Sequence, residues 1–265
     1  MYATSYHRAS SVEEAVRLNG SAEDSKYLSG GMTLIATMKQ RLAAPGNLID
    51  LRHIPQLKGI SVDGRHVRIG AGTPHADVAS SQAIRSVCPA LCTLAGHIGD
   101  PHVRHMGTIG GSIANNDPAA DYPSAMLGLS ATIETDRRSI AADDFFTGLF
   151  ETALEEGEIV TAISFEAPEK AGYAKFSNPA SRYAITGVFV ARSANGVRVA
   201  VTGAGSDGVF RHEGLEQALV AHWAPDALAG VTVDPSGLMT DMHADAAYRA
   251  NLVKVMAKRA VLAAG

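Results

Sequence analysis

A chain of 265 residues, 46% hydrophobic and 19% charged, can bury a sizeable core and has room for two or three lobes rather than one. Its formal net charge of -4 excludes a generally basic nucleic-acid binder and points to proteins and small molecules as partners. No apolar run approaches the roughly 20 residues of a membrane span, and Met1–Arg8 lacks the basic-then-apolar order of a signal peptide. A soluble, cytoplasmic protein without a transmembrane segment is expected.

In chain order, Ser10 and Ser11 stand three residues ahead of Glu13 and Glu14. That is a capping-box signal for a helix carrying Val12, Ala15, Val16 and Leu18. A short strand, Lys26-Tyr27-Leu28, leads through Gly30-Gly31 to a helical pattern with Leu34, Ile35, Met38 and Leu42. Ala44-Pro45-Gly46 stops it, and Leu48-Ile49-Asp50-Leu51 reads as a second strand, so a parallel strand pair is predicted. Beyond residue 55, Val67–Gly72 reads as strand and residues 75–80 and 87–96 as helices. A loop rich in Gly and His follows, then an apolar helix at Pro123–Leu129 and strands at Ala131–Thr135 and Ile159–Phe165. Ala167-Pro168 and Ala171-Gly172 predict a lobe boundary. Ala184–Ala191 and Val197–Thr202 flank Ser193-Ala194-Asn195-Gly196, and Asn-Gly between apolar runs signals a hairpin. A terminal helix from Asp245 to Ala264 carries Tyr248, Leu252, Val255, Met256 and Leu262. The fold class is α+β, with lobes at 1–54, 55–170 and 171–265, not one doubly wound sheet.

Two segments carry the chemistry. Leu28-Ser29-Gly30-Gly31-Met32-Thr33-Leu34 joins a strand to a helix, where paired glycines permit close backbone approach and helix N–H groups can face an anion such as a diphosphate. Gly107-Thr108-Ile109-Gly110-Gly111-Ser112 repeats the pairing beside hydroxyls, and successive backbone donors can cradle phosphate without a lysine. Either alone could be a tight turn; together they favour a dinucleotide-like ligand. Gly203-Ala204-Gly205-Ser206-Asp207-Gly208 matches G-x-G-x-x-G formally, but no helix opens after it, so it is not a nicotinamide-cofactor site. His97, His102 and His105 do not follow zinc-ligand spacing. Cys88 and Cys92 read as apolar packing on one helix face, too few for an iron–sulfur cluster, which usually takes four thiolates. Asp117 reads first as a helix cap, and Asp121 as a group that could hold ligand hydroxyls.

Gly99-Asp100-Pro101-His102-Val103-Arg104 runs into Gly107–Ala114 and then Asp117-Pro118-Ala119-Ala120-Asp121. With Ser29-Gly30-Gly31, this resembles the FAD-binding medium subunit of molybdenum hydroxylases, a group that includes carbon monoxide dehydrogenase and bacterial xanthine-dehydrogenase-type enzymes. The likeness runs from Tyr6-His7-Arg8 to Ala247-Tyr248-Arg249-Ala250. It implies a PCMH-type FAD-binding fold: an N-terminal α/β lobe and a central α+β lobe clamp FAD, and a C-terminal lobe carries a small antiparallel sheet and helices. Leu28 through Leu34 would wrap the diphosphate, with Gly107, Thr108, Gly110, Gly111 and Ser112 meeting it from the second lobe. Ile109 would lie near the ring system, and Val103 and Asp117 would be among the cofactor-binding residues. Asp121 would hold ribityl or ribose hydroxyls, Ile159 and Val160 would contact the adenine end, and Lys175 would approach the flavin.

The same resemblance implies partners: a large molybdenum-cofactor subunit and a small [2Fe–2S] subunit, in a dimer of heterotrimers. Electrons would pass from the clusters through FAD to an external acceptor, with no acid–base or nucleophilic catalytic residue and no metal ligand in this chain. Met32-Thr33 departs from the polar pair usual after the first Gly-Gly, and Ser177–Tyr183 differs from the Arg-rich, acidic stretch of many members. Two other readings stay open on sequence: a self-sufficient flavin oxidase or reductase of related fold, and a flavin-free docking subunit.

Overall fold

The computed structural model describes residues 1–21 and 23–265. Its first layer is a three-stranded sheet in which Asn47–Asp50 lies between Ser5–Arg8 and Ser25–Leu28, parallel to both. Helix Val12–Ser21 connects the outer strands, and its capping signal is realised. Ser11 Oγ accepts from the Glu14 N–H at 3.1 Å while the Glu14 carboxylate accepts from the Ser10 N–H at 2.8 Å. Helix Leu34–Lys39 is shorter than its apolar pattern predicts. Arg41 turns left-handed at φ 62, and the N–H groups of Arg41 and Leu42 close onto the Met38 and Thr37 carbonyls, a Schellman stop. Leu42 is therefore 79% exposed instead of facing a core.

The central sheet has five strands in the order Ile60–Asp63, His66–Gly70, Val160–Glu166, Thr132–Thr135 and Ser139–Ala141, with antiparallel neighbours throughout. The stretch read as a Gly- and His-rich loop contains two short helices, Pro101–Met106 and Ile109–Asn115. Asp100 caps the first, accepting from the Val103 N–H at 2.9 Å, and Thr108 caps the second. At six and seven residues they are too short for hydrophobic periodicity to register. Cys88 precedes helix Pro89–Gly96 and Cys92 lies within it; both are buried in the central core.

Lys170–Ser177, Ala184–Ser193, Gly196–Thr202 and Phe210–Arg211 form an antiparallel sheet. Ser193 pairs with Gly196, so Ala194-Asn195 is the turn and Gly196 takes φ 120. One face of this sheet contributes Tyr173, Phe189, Ala191 and Ala200 to the central core. The other, with Val188, Val190, Val199 and Val201, packs against helix Ala246–Ala264. That helix buries Arg249, Leu252, Val253, Met256, Ala257, Ala260 and Val261, leaving Tyr248 and Leu262 exposed at 43% and 68%. Buried Arg249 serves the sheet: it donates to the Ile185 and Gly203 carbonyls and pairs with Asp241 at 2.7 Å. Among the described residues no helix is long and apolar enough to cross a membrane.

Candidate cofactor site

A cleft of about 1270 Å³ runs between the parallel sheet and the central layer. That exceeds the roughly 300–1,000 Å³ of an ordinary small-ligand pocket, so a long ligand fits it better than a compact one. All of the residues expected at the cofactor line it except Ile109 and Lys175.

The two glycine loops meet at its floor. A Cβ on Gly30 would overlap the Met106 carbonyl oxygen and stand 2.7 Å from the Gly107 Cα. Ser29 Oγ and Thr108 Oγ1 share a hydrogen bond of 2.8 Å across the same junction. Glycine is therefore needed at position 30 for contact between the loops, and at Gly31 for backbone shape, since its φ is 73.

The loops differ in what they leave free. From Ser29 to Leu34 no backbone N–H donates to another group of the described chain. Consecutive unpaired donors at a left-handed turn make an anion-binding nest, which is what a diphosphate requires. In the second loop the helix N-terminus is already occupied. The N–H groups of Ile109 and Gly110 donate to the Thr73 and Ala71 carbonyls at 3.1 and 2.8 Å, and that of Gly111 donates to Thr108 Oγ1 at 3.1 Å. The expectation of a second cradle of free backbone donors is thus corrected. Gly110 is glycine because a Cβ there would collide with Ala71. What this loop presents to the cleft is side-chain hydroxyl, Thr108 and Ser112, and of its backbone donors only the Thr108 N–H is without an acceptor among the described residues.

Ile109 is fully buried in the central core, not at the cleft. Lys175 stands behind the wall: its side chain is 1% exposed, its ammonium sits 2.9 Å from Asp121 Oδ1, and it donates to the His97 carbonyl at 2.9 Å. Asp121 reaches the wall with both oxygens engaged, since the Tyr173 hydroxyl also donates to it. Burial pushes its carboxyl up, and the Lys175 ammonium opposes that rise. Asp117 does not cap the next helix, which begins at Tyr122. Its Oδ1 accepts from the Ala119 N–H at 2.9 Å and shapes the turn instead. At the far end both backbone groups of Ile159 are taken by Asp136, so Ile159 offers the cleft only its side chain. The Gly203–Gly208 segment lies outside the cleft and is followed by strand Phe210–Arg211, not a helix.

Several lining residues had no local signal in the sequence: Tyr27, His75, Arg137, Glu158, Arg182 and Tyr183. Glu158 is held by Arg138 through bonds of 3.0 and 2.9 Å, which draw its carboxyl down to about 2. His75 packs on Tyr122 with ring centroids 5.3 Å apart, and its Nδ1 is buried without a partner. Burial, aided by the Arg104 guanidinium, pushes its imidazole from 6.5 down to about 4. A depressed folded value means stability that is complete above pH 6.5 and is lost as pH falls towards 4. Between pH 7 and pH 5 this one group should remove about 2 kcal/mol, measured by denaturant unfolding at each pH. His75→Leu should abolish that share of the loss, while His97 and His212, also held low by burial, keep theirs. An unchanged pH dependence in His75→Leu would show that the ring is protonated in the folded protein.

Residues 2–167 match the family described as FAD binding domain in molybdopterin dehydrogenase. The chain belongs to this family. It is 32% identical to the nicotine 6-hydroxylase medium subunit of Paenarthrobacter nicotinovorans, covering 98% of this chain and 96% of that one. It is 34% identical to the carbon monoxide dehydrogenase medium chain of Hydrogenophaga pseudoflava, with the same coverage. The quinoline 2-oxidoreductase structure from Pseudomonas putida 86 superposes with a TM-score of 0.89 at 25% identity, covering 99% of this chain and 97% of that one. FAD is the cofactor, and the chain is a flavoprotein subunit of a molybdenum-containing oxidoreductase, as the resemblance carried by Ser29–Gly31, Gly99–Arg104, Gly107–Ala114 and Asp117–Asp121 led us to expect. The α+β fold class likewise stands.

Proposed function

We propose that this chain takes electrons from the [2Fe–2S] clusters of a small partner subunit, which receives them from a large molybdenum-cofactor subunit, and passes them by way of FAD to an external acceptor. The assembly is a dimer of heterotrimers in the cytoplasm. FAD supplies two-electron redox chemistry; this chain binds, orients and shields it. The observation that carries the reading is the run of unpaired N–H groups from Ser29 to Leu34 at the floor of a long cleft.

In this arrangement Ser29, Gly30, Gly31, Met32, Thr33 and Leu34 receive the diphosphate, with Leu28 beneath them. Thr108 and Ser112 add hydroxyls, while Gly107, Gly110 and Gly111 let the second loop close. Val103 and Asp117 border the same floor, and Ile159 and Val160 face the adenine end. Asp121, fixed by Lys175 and Tyr173, offers its remaining lone pair to a ribityl or ribose hydroxyl. Lys175 acts through Asp121, and Ile109 by anchoring the loop in the core. The three lobes 1–54, 55–170 and 171–265 divide these tasks.

Two phosphate-facing loops suit a diphosphate with a nucleoside at its far end, so denatured protein should release FAD. Chromatography of the released flavin tests this: FMN, or colourless protein that takes up no FAD, would overturn it.

A further inference from the structure

The hairpin Phe146–Gly148/Glu151–Thr152 turns through two residues only, Leu149 and Phe150. Such turns are ordinarily made by Gly, Asn or Asp, because the central positions need left-handed backbone and face water. Here Phe150 takes φ 55, a conformation that bulky side chains avoid, and Leu149 and Phe150 are 46% and 60% exposed. Among the described residues neither side chain belongs to a core cluster. The tip is nonetheless held firmly. Buried Asn116 donates from Nδ2 to the Gly148 and Glu151 carbonyls at 2.9 and 2.8 Å, and its own carbonyl accepts from the Phe150 N–H at 3.1 Å.

The surroundings are acidic. Glu151 follows the tip, Asp144 lies at the hairpin's foot, and Asp207 precedes Gly208, whose Cβ would stand 3.6 Å from the Gly148 carbonyl. All three are exposed and without an ion pair among the described residues, whereas neighbouring Asp143 is paired with Arg198 and Arg211. A strained, rigid apolar tip flanked in the chain by unpaired Asp144 and Glu151, with unpaired Asp207 next to the Gly208 that approaches Gly148, complements an apolar pocket bordered by Lys or Arg. We propose that Leu149–Phe150 is a docking plug that seats in such a pocket on a partner subunit. This rests on the assembly reading above. Asn116 ends the helix capped by Thr108, so the plug is tied to the element that carries the second glycine loop. Docking would fix the position of the cofactor cleft relative to the partner.

Phe150→Gly separates docking from folding, because glycine relieves the left-handed backbone while deleting the side chain. The variant should keep its FAD and a Tm no lower than that of the unaltered chain. Its affinity for the purified large or small subunit, titrated separately, should fall at least about tenfold, as for an aromatic anchor. Glu151→Lys with Asp207→Lys should also weaken binding to that same subunit and blunt its salt dependence. Unchanged affinity of Phe150→Gly for both subunits would overturn the proposal alone, as would a Phe150-dependent homodimer. An unaltered chain that holds FAD but binds neither subunit would overturn the assembly reading and the plug with it.

Discussion

Replacing Gly30 by alanine should weaken FAD binding more than a hundredfold, the largest effect of any single methyl group added to this cleft. The added Cβ would overlap the Met106 carbonyl oxygen and lie 2.7 Å from the Gly107 Cα, and both obstacles are backbone. Side chains can rotate away from an intruding methyl; these atoms cannot without parting the two loops. Parting them breaks the 2.8 Å Ser29–Thr108 hydrogen bond and displaces the unpaired N–H groups that follow. Overpacking of this kind costs about 3 kcal/mol at its upper range, hence the hundredfold figure. Gly31→Ala should cost less. Its Cβ meets only the Ile35 and Leu28 side chains, at 3.0 and 3.2 Å, so the penalty is mainly that of φ 73, about 1–2 kcal/mol. Gly230→Ala, with nothing within 4 Å of the new Cβ, is the control and should bind FAD normally. Titration of the apoproteins with FAD gives the order directly. Equal affinity in all three would show that the loops do not close on the cofactor.

That ordering illustrates how much the sequence reveals and where it stops. The glycine pairs are visible as motifs because close approach to a ligand leaves the same trace as close approach to another loop: both forbid a Cβ. Which constraint applies at which glycine depends on what faces it across the fold. Gly110 faces Ala71 and Gly30 faces Met106, contacts spanning tens of residues that no local window contains. The capping of Val12–Ser21, the parallel pair Ser25–Leu28 and Asn47–Asp50, and the 184–202 hairpin are legible because caps, turns and apolar runs act locally, whereas strand Ser5–Arg8 is not read from the sequence. Helices Pro101–Met106 and Ile109–Asn115 were not, although Asp100-Pro101 and Thr108 are sound cap signals, because six or seven residues show no period. Helix Ala246–Ala264 lies where its apolar residues predict a helix, but two of those residues, Tyr248 and Leu262, face solvent. The sheet beneath it selects Arg249 and Val253 instead. His75 left no local trace, and Asp121 and Lys175, singled out as separate ligand contacts, gave no sign that they pair with each other in the interior, since burial of a polar group is a property of the tertiary structure.

The second large effect is all-or-none and concerns the origin of the flavin's electrons. The chain has only Cys88 and Cys92, both buried and free, and burial pushes the Cys88 thiol up to about 12. Such thiols are poor metal ligands, because ligation requires the thiolate. Among the described residues no group of three or more His, Cys, Asp or Glu is placed to hold a metal ion. On the proposed electron-transfer role, substrate electrons reach the cleft from another protein, whereas a self-sufficient flavin oxidase would take them directly from substrate. The decisive measurement is flavin absorbance under anaerobic conditions, with the physiological substrate added to the FAD-loaded chain alone, with the large subunit, and with the large and small subunits together. The expected result is bleaching in the three-protein mixture, sharply slower without the iron–sulfur subunit and absent for the chain alone. Bleaching of the isolated chain by that substrate would contradict the electron-transfer role and establish a self-sufficient flavin oxidase.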